Sequence, residues 1–224
     1  MEAFRALDTV ANAGATAPIS KKEAQTAAAK RKICEATIRC LEEHGYAETS
    51  INRIVDQAGV SRGALQHHFP TKEDLISETA DRLLQRAVRP DFSVSAGELT
   101  DSPDDGAAVE EDILWTWEKL VNTKEYRALM EILAACRTDK ALQARLSDRL
   151  LQWNDAIDSN NVAGFESVDR DDDDVRVLWT MARAFMRGLL IQDRYARDPA
   201  EHAKVLRRFI ELVAPQMRKR RTAK

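Results

Sequence analysis

The 224-residue chain is 44% hydrophobic and carries 34 Lys and Arg against 37 Asp and Glu, for a net charge of −3. That supports a real core in one large or two modest domains, and the near-balanced charge does not by itself announce a nucleic-acid partner. With 8 Gly and 6 Pro the chain favours long helices over many turns, and no apolar run approaches the length of a membrane span.

Residues 1–21, rich in Ala, Thr, Gly and Pro without periodicity, read as a mobile tail with nothing like the apolar segment of a secretion signal. A cytoplasmic protein is expected. A first helix follows over about 22–44, with Ala29, Ile33, Ala36, Thr37, Cys40 and Leu41 as its inner stripe and Gly45 at its end. Lys21, Lys22, Lys30, Arg31 and Lys32 make its start locally basic, which suits phosphate contact as well as simple solvation. Cys34, Cys40 and Cys136 are odd in number, dispersed and outside any CxxC. They read as buried free thiols in a reducing compartment.

Residues 49–75 carry the most informative pattern. Ile51, Ile54, Val55 and Ala58 fall at i, i+3, i+4 and i+7, one apolar face of a helix that Ser50 can cap. Gly59 stands where a left-handed residue ends a helix most cheaply. Ser61 can cap a second helix over 62–69, stopped by Pro70, and Thr71 a third, with Asp74 completing a capping box. Two short helices across a tight turn are the layout of a helix-turn-helix. Arg62, Gly63, Gln66 and His67 share one side of the second helix, while Leu65 and Phe69 face the core. Gln66 can bridge an adenine, Arg62 can reach a guanine, and Gly63 lets the backbone approach a base edge or phosphate. Lys72 suits a phosphate and reads no sequence. Adjacent His67 and His68 point about 100° apart and have no further ligand at short spacing, so no metal is expected there.

The order and spacing of several motifs carry a resemblance. They are a long first helix ending in His44-Gly45-Tyr46, then Thr49-Ser50, Ala58-Gly59-Val60-Ser61, Leu65, His68-Phe69 and Lys72-Glu73-Asp74-Leu75. The segment from about Lys30 to Leu84, roughly a quarter of the chain, is similar to the DNA-binding domain of the tetracycline-repressor (TetR) family. One departure is that the family usually has a tyrosine where this chain has Gln66, which shifts the expectation towards hydrogen-bond readout. The resemblance implies a DNA-binding set of Lys30, Ser50, Asn52, Ser61, Arg62, Gly63, Ala64, Gln66, His67 and Lys72.

Beyond residue 72 the chain reads as helices over 72–89, 107–122, 124–137, 140–159, 175–195 and 199–218, with a boundary loop at 90–106 and a second loop at 160–174. The 72–89 helix leads out of the reading head. The run Asp171–Asp174 lacks the alternation of a calcium loop and reads as an acidic helix start. Leu178, Met181, Ala182, Phe185, Gly188, Leu189 and Gln192 form one stripe, and Val205, Leu206, Phe209, Leu212 and Val213 another. Such a pair can be an intramolecular packing or half of a dimer's four-helix bundle. Large apolar side chains in the middle of the chain fit a dense core or a lined cavity. The resemblance implies the cavity, with Trp115, Trp117, Met130, Leu133, Cys136, Trp153, Met181 and Phe185 about a small apolar or aromatic ligand.

The expectation is an all-α protein. It has a helix-turn-helix domain at 22–71, a helical ligand-binding and dimerisation domain at 72–218 and a basic tail at 219–224. The function expected is a homodimeric, ligand-responsive regulator, usually a repressor in this family, on a palindromic duplex operator. No cofactor, metal, catalytic residue or membrane partner is expected. An architectural DNA-binding dimer without ligand stays open. An all-helical enzyme fits less well, since the Glu-x-x-His pairs of a di-iron bundle are missing.

Overall fold

The computed structural model describes residues 20–87, 105–195 and 198–220. All but the last two residues of the expected boundary loop at 90–106, which open a helix instead, and nearly all of the expected N-terminal tail lie outside those residues, as do residues 221–224. The described chain runs α1 (Lys21–Glu48), α2 (Ile51–Ala58), α3 (Arg62–His68), α4 (Lys72–Arg86), α5 (Asp105–Trp115), α6 (Lys124–Ala135), α7 (Lys140–Gly164), β1 (Phe165–Ser167), α8 (Asp172–Gln192), α9 (Pro199–Val213) and β2 (Met217–Lys219). It is an all-α fold with one short ribbon.

Two cores organise it. Ile33, Cys34, Ala36 and Cys40 of α1 meet Ile54 and Ala58 of α2, then Leu65, Phe69 and Leu75, in a small head core. The larger core begins on the same helices, with Ile38 and Leu41 of α1 and Ile76, Ala80 and Leu83 of α4, and continues through α5 to α9. Both α1 and α4 therefore cross from head to body, and α1 packs along α6. The sequence offered α4 alone as the link. The cause is α1's length: Ile33 and Ile38 sit on different sides of one helix, so each faces a different core.

Local chemistry sets the helix ends. Ser20 and Glu23 form a capping box on α1, the Ser20 hydroxyl accepting from the Glu23 N–H at 3.2 Å and Glu23 accepting from the Ser20 N–H at 2.9 Å. Gly45 breaks α1 with φ 75° and ψ 172°, a region open essentially to glycine alone. Between Thr116 and Val121 the chain winds as a π-helix, with Asn122 N–H donating to the Trp117 carbonyl at 2.7 Å.

Three expectations need correction in the body. The 160–174 loop is much shorter, because α7 continues to Gly164 and Phe165–Ser167 become β1. The last helix ends at Val213 rather than 218, since Pro215 withholds an N–H and Met217–Lys219 pair antiparallel with β1, Phe165 opposite Lys219. The basic residues at 219–220 are anchored: Lys219 lies 3.0 Å from Asp112, and Arg220 donates to the carbonyls of Val162 and Phe165, each at 3.2 Å, and to Asp172. The acidic run opens α8, with Asp172, Asp173 and Asp174 in its first turn. Cys34, Cys40 and Cys136 are free and buried, and burial pushes the Cys34 thiol's pKa up.

Candidate nucleic-acid interface and body cavity

The reading head is a corner held by three hydroxyl caps. Ser50, Ser61 and Thr71 accept from the backbone N–H groups of Arg53, Ala64 and Asp74 at 3.3, 3.1 and 3.1 Å. Each cap contributes about 1 kcal/mol. Between α2 and α3, Gly59 is left-handed (φ 58°, ψ 46°), and the Val60 N–H reaches back to the Val55 carbonyl at 3.3 Å. Leu65 is fully buried and Phe69 nearly so. Burying Leu65 contributes roughly 1.5–3 kcal/mol towards fixing the roll of α3.

With Leu65 pinned inward, the opposite flank of α3 faces solvent. Arg62, Gly63, Ala64, Gln66 and His67 are all exposed, as are Ser50, Asn52 and Ser61. Arg62 donates to the Asn52 side-chain oxygen at 3.4 Å, so the outer faces of α2 and α3 join into one surface. A Cβ on Gly63 would meet nothing within 4 Å, which leaves its backbone open to close approach. The Ser50 and Ser61 hydroxyls are occupied as caps. Lys30 is half-buried, its ammonium 5.7 Å from the centre of the Phe69 ring.

Lys72 lies against Tyr46. Its ammonium sits 4.5 Å from the centre of the Tyr46 ring and donates to the Tyr46 carbonyl at 3.4 Å. Desolvation lowers its pKa. Tyr46 is the centre of a junction that the sequence reading missed. Its N–H donates to Glu131 of α6 at 3.0 Å and its hydroxyl to Asp139 at 3.2 Å. Burial, with that hydrogen bond to Asp139, pushes the phenol's pKa up to about 12. Arg145 and Arg149 of α7 pair with Asp74 and Asp81 of α4, so the head meets the body through charged contacts on both crossing helices.

Within the body a cavity of about 60 Å³ lies where the π-helical turn faces α7 and α8, and it adjoins a cleft of about 200 Å³ beside α4. Ala87, Leu120 and Tyr126 line both. Trp153, Ile157 and Asn161 of α7 and Trp179 and Arg183 of α8 complete much of the smaller one. A π-turn is a common mark of a functional site.

Of the eight ligand candidates, Trp153 alone lines this cavity. Cys136 is buried in the body core, and Trp117, Met130 and Leu133 pack at its margin. Phe185 stacks on Phe209 at 4.0 Å. Trp115 is half-buried and lines neither space. Met181 is 53% exposed, because it lies at the edge of its stripe, where a small roll of the helix turns a side chain outward.

Asn161, Arg183 and Arg187 were missed. Asn161 fell in the expected loop, and the arginines lie outside the apolar stripe read on that helix. Their spacing held a signal: Arg183 and Arg187 lie four and eight residues beyond Trp179, on the buried side of α8.

A helix-turn-helix held by its caps, with a polar outer flank and a helical body behind it, is the layout found in helical DNA-binding domains. Residues 33–79 match the family model described as bacterial regulatory proteins, tetR family. An uncharacterized HTH-type transcriptional regulator of Mycobacterium tuberculosis is 32% identical over 127 residues, 56% of this chain; the match spans 62% of that relative's length. The HTH-type transcriptional repressor AcnR of Corynebacterium glutamicum is 27% identical over 194 residues, covering 85% of this chain and 93% of the relative. A TetR transcription regulator from Haloarcula marismortui shares the fold at a TM-score of 0.58 and 24% identity, over 86% of this chain and all of that one. Residues 33–79 are thus similar to the DNA-binding segment of tetR-family proteins, and the whole chain shares the fold of a TetR regulator.

Proposed function

We propose that the protein is a homodimeric transcriptional regulator that binds a two-fold duplex operator through α3 and is released by a small molecule bound in the body, most simply as a repressor. The observation that carries this reading is the flank of α3, exposed from Arg62 to His67 while Leu65 is fully buried. A polar surface held at a fixed angle is what major-groove docking needs. In this reading Arg62 and Gln66 discriminate bases, Gly63 and Ala64 allow close approach, and Ser50, Asn52, Ser61, His67, Lys30 and Lys72 set the position on the backbone.

Dimerisation is supported by an apolar stripe on the outside of α8 and of the 3₁₀ turn that follows it, Asp193–Tyr195. Val177, Met181, Ile191 and Tyr195 are 46%, 53%, 59% and 82% exposed. They lie in register with Ala184 and with Gly188, where a Cβ would meet nothing within 4 Å. Val205 and Leu212 of α9 are exposed as well. Two copies joined on these helices form a four-helix bundle. The heads would then sit roughly 34–36 Å apart, the spacing of successive major grooves. The cavity, with its mixed aromatic and polar lining, supports a ligand and weighs against a purely architectural role.

The test is selection of bound duplexes from a random pool. A palindromic site should emerge. Gln66→Ala should relax preference at one base position, while Lys72→Ala should weaken all duplexes alike and reduce the salt slope by about 1. A dimer that retains no duplex at low salt refutes the reading.

A further inference from the structure

The buried polar atoms left unsatisfied in and beside the cavity are one-sided. The Trp153 Nε1, the Asn161 Nδ2 and an Arg183 Nη1 of the lining, and an Arg187 Nη2 just behind the Trp153 and Tyr126 rings, are all buried donors, and no group among the described residues accepts from them. Trp153 is 7% exposed and Asn161 3%. Arg183 uses its other terminal nitrogen on Asp158 at 2.8 Å and on the Thr180 hydroxyl at 3.1 Å. Arg187 has no carboxylate partner among the described residues. Its Nε donates to the Tyr126 hydroxyl at 2.9 Å, and its guanidinium faces the Tyr126 and Trp153 rings, 6.0 and 5.8 Å from their centres.

Charge bookkeeping follows from these contacts. Asp158 neutralises one of the two guanidiniums, so the α8 side beside the cavity carries an excess positive charge from Arg187. Neutral acceptors can satisfy the hydrogen bonds but not the charge, and a buried cation without a counter-ion is costly. A carboxylate does both, and a guanidinium matches it in bidentate fashion. The remaining walls are apolar and aromatic: Leu120, Val121, Ile157 and the rings of Trp153 and Trp179. Leu120 and Tyr126 separate this end from the cleft beside Leu83 and Leu129.

We propose that the effector is a small organic acid, its carboxylate received by Arg187, Arg183, Asn161 and Trp153 and its apolar body directed past Leu120 towards α4. This rests on the reading of the body as an effector domain. The acid end supplies the missing charge. The apolar end reaches the helix that crosses to the reading head, with the π-helical turn as the wall that yields.

The experiment titrates the full-length protein with benzoate, benzamide and benzamidine, three flat molecules of one shape and charges of −1, 0 and +1. Octanoate and octanamide form an aliphatic pair. Tryptophan emission and thermal unfolding are the readouts. At least one acid should bind about tenfold or more tightly than its amide, and benzamidine should not compete. Arg187→Met should bring the acid to the level of the amide. Trp153→Phe, which keeps the ring and removes the N–H, should lower acid affinity while the protein stays folded. An acid no tighter than its amide in both pairs overturns the proposal, as does an unchanged preference in Arg187→Met. The two readings fail separately. A protein that selects an operator but shows no preference for acids loses only this proposal. One that prefers acids but selects no DNA loses the regulator reading and keeps the site.

Discussion

Gly45 is the position where a single methyl group should do the most damage for its size. Its φ of 75° and ψ of 172° cost a side-chain-bearing residue about 1–3 kcal/mol. A Cβ there would also lie 3.0 Å from the Glu131 carboxylate oxygen, the same oxygen that accepts from the Tyr46 N–H at 3.0 Å. Glu131 can swing away, but only by giving up that bond. A charge-assisted bond contributes about 1.5–3 kcal/mol when buried, and about 1 at this half-exposed junction. Gly45→Ala should therefore lose about 2–4 kcal/mol, or roughly 5–15 °C in Tm for a chain of this size. Calorimetry on Gly45→Ala, Glu131→Ala and the double variant reads both parts. Because Gly45→Ala already sacrifices the hydrogen bond, Glu131→Ala should cost almost nothing further on that background, a coupling of about 1 kcal/mol. A Gly45→Ala loss below about 1 kcal/mol, or strict additivity, would refute the reasoning.

Other outcomes follow from the same structure. Tyr46 has its folded pKa raised from 10.0 to about 12, so the protonated phenol is the stabilised form. Its contribution is complete below pH 10 and disappears as pH rises through 12, and Tyr46→Phe should remove this alkaline step from tyrosinate absorbance and from the stability profile. Asp74 has its pKa lowered from 3.8, first by the Thr71 hydroxyl and then by Arg145. Its contribution is therefore present above about pH 4 and lost as pH falls through the depressed value; Asp74→Asn should flatten that acid limb in a denaturation series. Met181→Asp places a charge on the exposed stripe of α8 and should yield folded monomers by analytical ultracentrifugation, with operator binding lost in proportion; an unchanged dimer would move the interface elsewhere.

Legibility in the sequence tracked how local each determinant was. The caps at Ser50, Ser61 and Thr71 and the turn at Gly59 depend on residues at most five apart, and the pattern of side chains announces them directly. The flank of α3 was legible for the same reason, since Leu65 alone fixes its roll. Contacts made between distant segments were not. Tyr46 meets Glu131 and Asp139 across 85 and 93 positions, and no spacing rule connects them. The β1–β2 ribbon pairs three-residue segments 52 positions apart, too short for a period to show. The cavity failed by a different route. Apolar side chains were the expected lining, but most of them fill the core. The distinctive groups are Asn161, Arg183 and Arg187, polar residues whose burial depends on the π-helical turn and on how α7 and α8 pack.

The passage of both α1 and α4 from the head core into the body core has a mechanical consequence. A load hung from one rod swings freely, whereas one hung from two moves only along paths that neither rod forbids. With α1 gripped at Tyr46 and α4 at Asp74 and Asp81, the head has few positions available to it. Under the regulator proposed above, an effector would have no need to push hard: it would select among a small number of stops, and the distance between paired heads would change in steps.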